Sequence, residues 1–258
     1  MRRNIKCLLI AGMVLALTSC LPLDLTRTGI ASPYRAGHST PGPAGTPPAG
    51  DVPVPLQTPT LHLGDRGPLV QKVGNRLDRL GFNPGGSGDE YGSALRMAVW
   101  AFQKANGLPP VDRVDPATWQ ALSHPARIRP LVRSGEPSRV EIDLHRQLLT
   151  AWRDDRPVLV SHISTGTGKP YCKNGRCGVA VTPTGDFRAW WRTSGWTSGP
   201  LGDQFYTVYF NDGIGFHGSE LVPRRPASHG CIRLPLHNAR PLYNMVENGE
   251  QVHVRDSR

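Results

Sequence analysis

Apolar residues change their spacing along this chain, and the changes divide it into segments. Residues 7–17 are all apolar or glycine, and residues 21–60 show no apolar periodicity. Over residues 61–125 apolar side chains recur at helical spacing, whereas over residues 137–256 they alternate with polar ones. The pattern predicts a small helical domain followed by a β domain, and these two names are kept below for the last two ranges.

Three short helices are predicted in the helical domain. Pro68 suits the first turn of the first helix, and Gly81 suits its end. The apolar face of this helix is predicted to consist of Leu69, Val73, Leu77 and Leu80. A second helix is expected from about Ser93 to Asn106, and a third begins after the capping residue Asp115. Three helices of this length form a small bundle.

The alternation in the β domain is typical of strands that bury one face. At its start the apolar positions are Val140, Ile142 and Leu144, and the polar positions are Arg139, Glu141 and Asp143. One helix is expected, from about His237 to Val246. The predicted fold class is therefore a mainly β domain, of sandwich or barrel type, with a small three-helix N-terminal domain.

The first twenty residues have the features of an export signal. A basic segment, Met1 to Lys6, precedes the apolar run, which is too short to cross a bilayer. The run ends in Leu17-Thr18-Ser19-Cys20, which resembles a bacterial lipobox, where the cysteine is lipidated. We expect a signal peptide at residues 1–19 and a lipoprotein anchored to the membrane, outside the cytoplasm and facing the cell wall. An ordinary cleaved signal is the alternative.

The segment from residue 20 to residue 60 is predicted to be an extended tether. Its prolines deny the backbone both helix and sheet, as in Thr40 to Gly50. At about 3 Å per residue, such a tether spans on the order of 100 Å. The net charge of +10 suits an anionic wall polymer or membrane surface. No nucleic-acid motif is present, so no nucleic-acid partner is expected.

Two of the five cysteines flank a predicted β-turn. Asn174-Gly175 is a type I′ hairpin signal that places Cys172 opposite Cys177. Export to an oxidising compartment favours a disulfide between them, and free thiols or a bound metal are the alternatives. With that disulfide formed and Cys20 lipidated, Cys231 is the free thiol that the mature chain retains.

Cys231 is also the residue best placed for chemistry. A thiolate is a strong nucleophile, but a thiol needs a nearby base to ionise near neutral pH. His217 precedes Cys231 by 14 positions, which is long enough for the chain to leave one strand and return in the next. The sequence therefore allows an imidazole to meet this thiol across adjacent strands.

Two sets of motifs resemble known families. Four stretches resemble the three-helix peptidoglycan-binding domain attached to many wall enzymes: Leu80-Gly81-Phe82, Tyr91-Gly92, residues 98–108 and residues 115–122. His217-Gly218 together with Ser228 to Arg233 resembles the active-site signature of the L,D-transpeptidase (YkuD-like) family. The second resemblance extends over about Arg139 to Val254 and implies that the β domain is catalytic.

The second resemblance also implies roles for individual residues. Cys231 would be the nucleophile and His217 its base, and the carbonyl of Gly218 would orient the imidazole. His229 and Gly230 would frame the oxyanion hole together with Cys231.

Two further residues, Ser228 and Arg233, would support or contact the substrate. Glycine at 230 lets backbone amides approach a substrate closely, and a guanidinium at 233 suits a peptide carboxylate. Only nine residues, Ser219 to Ala227, join Gly218 to Ser228, so a short loop beside the cleft is expected.

The family transfers an acyl group between peptidoglycan stem peptides. The donor is a tetrapeptide stem cut between its third-position diamino acid and the terminal D-alanine, and an amine of another stem is the acceptor. We therefore expect a cysteine acyltransferase of cell-wall organisation that cross-links stems through a thioester, with peptidoglycan as partner and no cofactor or metal. Water as acceptor would make the protein an L,D-carboxypeptidase that trims stems.

Two other classes of protein fit part of the sequence. A zinc peptidase would use His217, His229 and Cys231, although these residues lack the usual ligand spacing and a carboxylate partner. A non-catalytic wall-binding lipoprotein would account for the anchor, the tether and the helical domain. It would leave the pairing of Cys231 with His217 unexplained.

Overall fold

A computed structural model of the chain describes residues 58–86 and 88–256. The predicted signal peptide, the lipidation at Cys20 and almost all of the predicted tether lie outside the described residues. Within the described ranges, no helix is both long and apolar enough to cross a membrane.

The helical domain contains three helices and two short strands. In chain order they are β1 (Leu61–His62), α1 (Pro68–Arg79), α2 (Ser93–Ala105), β2 (Arg113–Val114) and α3 (Pro116–Ser123). Asp115 caps α3, because its carboxylate accepts a hydrogen bond from the Thr118 amide at 2.9 Å. The antiparallel β1–β2 pair was not predicted, so the domain is not purely helical.

The inward face of α1 differs by one residue from the prediction. Val70, Val73 and Leu77 are almost completely buried, whereas Leu69 is 40 % exposed. The buried set keeps helical spacing, and Leu69 lies about 100° away from Val70 around the helix axis. The prediction that Leu69 belongs to the core was therefore wrong.

The β domain is built mainly from two sheets. Its strands are β3 (Arg139–Asp143), β4 (Leu148–Arg153), β5 (Arg156–His162), β6 (Pro170–Lys173), β7 (Arg176–Val179), β8 (Gly185–Arg188), β9 (Trp191–Gly199), β10 (Gly202–Asn211), β11 (Ile214–Ser219), β12 (Ile232–Pro235) and β13 (Gln251–Arg255), and its helix is α4 (Leu236–Met245). One sheet has the order β5-β4-β3-β13-β8, and the other has the order β12-β11-β10-β9. The mainly β architecture agrees with the sequence prediction, and the described part of the chain has four helices.

The two sheets and α4 enclose a single apolar core. Ile142 and Leu149 come from the five-stranded sheet, Phe216 and Ile232 from the four-stranded sheet, and Leu242 from α4. All five side chains are fully buried or nearly so. Packing on this core fixes the position of β11 and β12, which carry the residues predicted to be catalytic.

Strand β3 is buried on both faces, contrary to the alternation predicted for it. Arg139, Glu141 and Asp143 are at most 3 % exposed. The Arg139 guanidinium donates to Glu141 Oε1 at 2.8 Å, and the Leu131 amide donates to Glu141 Oε2 at 2.8 Å. The polar face is therefore covered by the segment that joins the two domains, and its charges are paired.

The helical domain and the β domain share a second apolar core. Leu148 of β4 and Val160 of β5 are packed in one cluster with residues of the helical domain such as Phe102. The Val160 amide also donates to the Gly81 carbonyl at 2.8 Å. The five-stranded sheet is thus buried on its outer side as well.

The short hairpin β6–β7 has the predicted turn. Cys172 is paired with Cys177, and the two form a disulfide. Asn174 and Gly175 both have positive φ angles, 50° and 74°, as a type I′ turn requires. The predicted disulfide is confirmed.

Candidate active site

The residues predicted to be catalytic lie on two adjacent parallel strands. His217 of β11 is the register partner of Arg233 of β12, and Phe216 is the partner of Ile232. Phe216 and Ile232 point into the core, so His217 and Arg233 project to the opposite face. Cys231 comes directly before β12, two positions from Arg233, and so belongs to the same face as His217.

The imidazole of His217 is held in one tautomer. Its Nδ1 lies 2.9 Å from the Gly218 carbonyl oxygen, which accepts a hydrogen bond, so Nδ1 carries the proton. Nε2 then has an open lone pair and bonds to no other group of residues 58–86 and 88–256. Burial lowers the pKa of His217 to about 4, and the nearby charge of Arg233 acts in the same direction. The ring is therefore neutral at neutral pH and able to accept a proton.

Cys231 is the only free cysteine of the described ranges, and its side chain is partly buried. Its Sγ lies 3.6 Å from the Gly213 carbonyl oxygen, to which the thiol donates, and 3.9 Å from Gln204 Nε2. Burial raises the pKa of this thiol, while the Gly215 amide and the Arg233 guanidinium oppose that rise. At rest the thiol and the imidazole are therefore both neutral.

Ser228 and Gly230 shape the turn that leads to the thiol. Ser228 Oγ donates to the Cys231 carbonyl oxygen and accepts from the Gly230 amide at 3.1 Å. Gly230 has a φ of +140°, and a Cβ built there would lie 3.0 Å from the Val181 carbonyl oxygen. The amide of Gly230 is thus engaged by Ser228 in this structure, and the position requires glycine for its conformation.

His229 connects this turn to the disulfide hairpin. Its ring lies 4.8 Å, centroid to centroid, from the edge-on ring of Tyr171, which precedes Cys172 on β6. The tip of the hairpin reaches the β9–β10 turn, where Lys173 Nζ donates to the Leu201 carbonyl oxygen at 3.1 Å. Burial lowers the pKa of His229, and the charge of Lys173 adds to the effect. The disulfide hairpin therefore lies beside the turn that leads to the thiol.

Arg233 supplies positive charge on the same face. It is half-buried and forms no ion pair with any residue of the described ranges. Its backbone exchanges two hydrogen bonds of 2.9 Å with Ser164, which fixes its strand. A half-buried guanidinium without a counter-charge is suited to an anionic group of a ligand.

Two side chains at the site were not identified from the sequence. Gln204 reaches the sulfur from β10, and the hydroxyl of Tyr209 donates to Gln204 Oε1 at 2.7 Å. Nothing in the spacing of β10 distinguishes this glutamine from other polar strand residues, because its role depends on how β10 pairs with β11.

Among the described residues, no three histidine, cysteine, aspartate or glutamate side chains are arranged to hold a metal ion.

Comparison with protein families identifies the two domains. The model of the L,D-transpeptidase catalytic domain matches residues 137–254, and that of the putative peptidoglycan binding domain matches residues 66–122. A comparison with curated proteins found no match.

One solved structure gives the same assignment, and two more distant ones are also similar. The L,D-transpeptidase of Xylanimonas cellulosilytica is 38% identical, with a TM-score of 0.71, over 77% of this chain and 98% of that chain. An L,D-transpeptidase of Stackebrandtia nassauensis is 20% identical over the same shares of the two chains, with a TM-score of 0.44. One from Mycobacterium smegmatis is 21% identical over 46% of this chain and 58% of that chain, with a TM-score of 0.39. On the strength of the first match, the chain belongs to the L,D-transpeptidase family. It carries a peptidoglycan-binding domain, which places it in the context of the cell wall.

Proposed function

We propose that this enzyme cross-links peptidoglycan stem peptides, with Cys231 as nucleophile and His217 as general base. The observation that carries the proposal is the hydrogen bond from His217 Nδ1 to the Gly218 carbonyl. Because that bond occupies Nδ1, the open lone pair is on Nε2, and the thiol lies on the same face of the neighbouring strand. This is the arrangement that thiol acyl transfer requires.

The proposed reaction has two acyl transfers. His217 Nε2 takes the proton of Cys231, and the sulfur attacks the carbonyl carbon of the third-position diamino acid. The C–N bond to the terminal D-alanine breaks, and the imidazolium gives its proton to the departing amine. The amine of a second stem then attacks the thioester carbonyl carbon and loses a proton to His217. The C–S bond breaks, and the imidazolium returns that proton to the departing sulfur, which restores the thiol.

The resting pair supports this order of events. Because the thiol and the imidazole are both neutral at rest, the ion pair forms only when proton transfer begins. Arg233 then lies near a thiolate rather than a thiol, which favours the charged form. We further propose that this guanidinium holds a carboxylate of the stem peptide.

We propose that the helical domain contacts the polymer through a groove on α1 and α3. The groove has a volume of about 650 Å³ and is lined by side chains that include Leu69, Lys72, Arg76 and Trp119. The face of a tryptophan ring suits a sugar ring, and the positive charges of lysine and arginine suit the carboxylates of stem peptides. This groove accounts for the exposure of Leu69.

The lipid anchor at Cys20 and the tether complete the proposal, as a link between this domain and the membrane.

Acylation of the thiol tests the assignment of the nucleophile. Carbapenems commonly inactivate members of the family, and one added to the protein is expected to increase its intact mass by one adduct. Cys231→Ala is expected to remain unmodified, because the Cys172–Cys177 disulfide has no thiol to offer. Equal labelling of both proteins, or none of the wild type, would reject Cys231 as the nucleophile.

Product analysis tests the acceptor. Purified tetrapeptide stems should give cross-linked dimers and free D-alanine with the wild type, and neither product with Cys231→Ala. Tripeptides without dimers would mean that water is the acceptor, and the protein would then be an L,D-carboxypeptidase. Unchanged stems with an intact, carbapenem-reactive thiol would favour the non-catalytic alternative.

A further inference from the structure

The side chain of Gln204 lies between the candidate nucleophile and two hydroxyl groups of its own strand. Its Nε2 is 3.9 Å from Cys231 Sγ. Its Oε1 accepts from Tyr209 at 2.7 Å and from the Thr207 hydroxyl at 3.2 Å. The amide thus contacts the reacting sulfur at one end and is anchored at the other.

The two hydroxyls lie at the carbonyl end of the Gln204 amide, and the sulfur lies at its NH2 end. Each hydroxyl donates its proton to Oε1, and only the NH2 end of the amide can donate a hydrogen bond to a thiolate. Thr207 is completely buried, and Tyr209 is stacked on Trp191 with 5.4 Å between ring centroids. Both donors are therefore held by packing, and the NH2 group of Gln204 is directed towards the thiol.

The resting thiol makes little use of this donor. Its proton goes to the Gly213 carbonyl, and the Gln204 contact is long. A thiolate has no proton to donate and accepts hydrogen bonds from its neighbours. The Gly215 amide is one such donor, and it lowers the pKa of Cys231. Gln204 is in position to be a second.

We propose that Gln204 is a catalytic residue that donates a hydrogen bond from its side-chain amide to the Cys231 thiolate, while Tyr209 and Thr207 hold its carbonyl oxygen. The proposal deepens the proposed function and rests on it, because it concerns the nucleophile assigned there. Gln204 thus offsets the burial that disfavours ionisation of the thiol.

The test is the pH dependence of the reaction between Cys231 and iodoacetamide in the full chain. Thiolates alone react appreciably, so the midpoint of the rate profile reports the pKa of the thiol. Alkylation is followed by mass spectrometry of the peptide that contains Cys231, which separates it from the other cysteines. The charges of Arg233 and Tyr209 interact with Cys231, and His217 lies on the same face; all the variants retain Arg233 and His217.

Two substitutions at Gln204 remove the donor in different ways. Q204A deletes the donor. A hydrogen bond to a charged group changes an equilibrium constant, here that for ionisation of the thiol, on the order of tenfold. We expect the midpoint to rise by about one pH unit and the alkylation rate at pH 7 to fall about tenfold. Q204E keeps the shape but substitutes a carboxylate, so its midpoint should rise at least as far as that of Q204A.

A third substitution tests the anchoring hydroxyl without touching Gln204. Y209F keeps the ring stacked on Trp191 and removes one donor to Oε1, so a smaller shift in the same direction is expected. S198A is the matched control in the same hairpin, because the Ser198 hydroxyl bonds only to exposed Asp203. Its midpoint should equal that of the wild type.

Midpoints for Q204A and Q204E within about 0.3 unit of the wild type, with circular dichroism and Tm unchanged, would overturn the proposal. If the Gln204 variants do not fold, an unshifted Y209F profile overturns it instead. The alkylation assay uses no stem peptide, so it distinguishes failure of this proposal from failure of the transpeptidase assignment, which depends on the products.

Discussion

Lys104 Nζ lies 2.7 Å from His162 Nδ1, and both side chains are buried where α2 meets the β domain. The ammonium group also donates to the Gln147 carbonyl oxygen at 3.1 Å. On the far side of the ring, His162 Nε2 donates to the Val222 carbonyl oxygen at 3.1 Å. The helical domain is thus connected by hydrogen bonds to the loop that precedes Ser228.

That loop, Ser219 to Ala227, is held from two sides. Arg224 donates to the Pro110 carbonyl oxygen of the helical domain. The amides of Ala227 and Ser228 both donate to the Thr165 carbonyl oxygen at 2.9 Å. The loop is as short as the sequence indicates, and the helical domain supports the loop at Arg224 and, through His162, at Val222.

The first prediction concerns acid stability. Burial and the charge of Lys104 lower the pKa of His162 to about 3, against about 6.5 in an unfolded chain. Between these values the unfolded state binds a proton that the folded state excludes. The stability contribution is therefore complete above pH 6.5 and declines below it by up to about 1.4 kcal/mol per pH unit.

Urea unfolding at pH 7, 6 and 5 measures this decline. The lowered pKa values of His217 and several carboxylates also reduce the stability of the protein in acid. The comparison is therefore with His162→Gln, whose free energy of unfolding should depend less steeply on pH. Equal slopes for the variant and the wild type would contradict the prediction.

The second prediction concerns Lys104. Lys104→Met leaves the buried His162 Nδ1 and Gln147 carbonyl without their donor. The imidazole of His162 is then held less firmly, which weakens its hydrogen bond to the Val222 carbonyl oxygen. We expect a loss of about 1 kcal/mol in the free energy of unfolding and a lower rate of carbapenem acylation, because the loop before Ser228 loses part of its support. Time-resolved intact-mass measurements give the rate, and Arg129→Met, which removes an exposed charge, serves as control. Identical rates in all three proteins would show that this contact does not support the site.

The third prediction concerns the turn before the thiol. Gly230→Ala places a Cβ 3.0 Å from the Val181 carbonyl oxygen at a φ of +140°. Such strain costs about 1–3 kcal/mol, and relief of it moves Cys231. We expect a lower Tm and at least a tenfold loss of thiol acylation. Gly88→Ala, where no atom lies within 4 Å of the added Cβ, should match the wild type, and acylation retained in Gly230→Ala would refute the prediction.

The fourth prediction concerns the disulfide hairpin. Replacing Cys172 and Cys177 by serine opens a loop of only a few residues, so we expect a loss of about 2 kcal/mol in the free energy of unfolding. The hairpin contacts His229 through Tyr171, so the KM for stem peptide should increase several-fold. Because the hairpin does not touch the sulfur, alkylation of Cys231 by iodoacetamide should not change. If the alkylation rate of Cys231 also fell, the hairpin would support the thiol itself.

Local signals in the sequence predict much of this structure. Proline and aspartate locate the helix starts at Pro68 and Asp115, and Asn174-Gly175 fixes the hairpin and its disulfide. The signature around Cys231 points to β11 and β12, because the 14 positions between His217 and Cys231 allow the two residues to meet on adjacent strands. These features depend on neighbours in the chain, and the sequence displays them directly.

The features that sequence analysis missed depend on contacts between distant segments. Lysine is a residue type that usually lies at the surface, yet Lys104 is covered by the five-stranded sheet. Glu141 occupies a polar position of a strand that another segment buries, and Gln204 acquires its role from the pairing of β10 with β11. Spacing along a single strand or helix contains no information about what lies on its other side.

The core shared by Leu148, Val160 and Phe102 has a consequence for the choice of substrate. This core joins the helical domain directly to the β domain, so the distance between the groove on α1 and α3 and the thiol is fixed. With the proposed function, a polymer bound in the groove would present to the thiol only those stems that lie at this distance. We expect the enzyme to select stems by their distance from the bound sugars as well as by their chemistry.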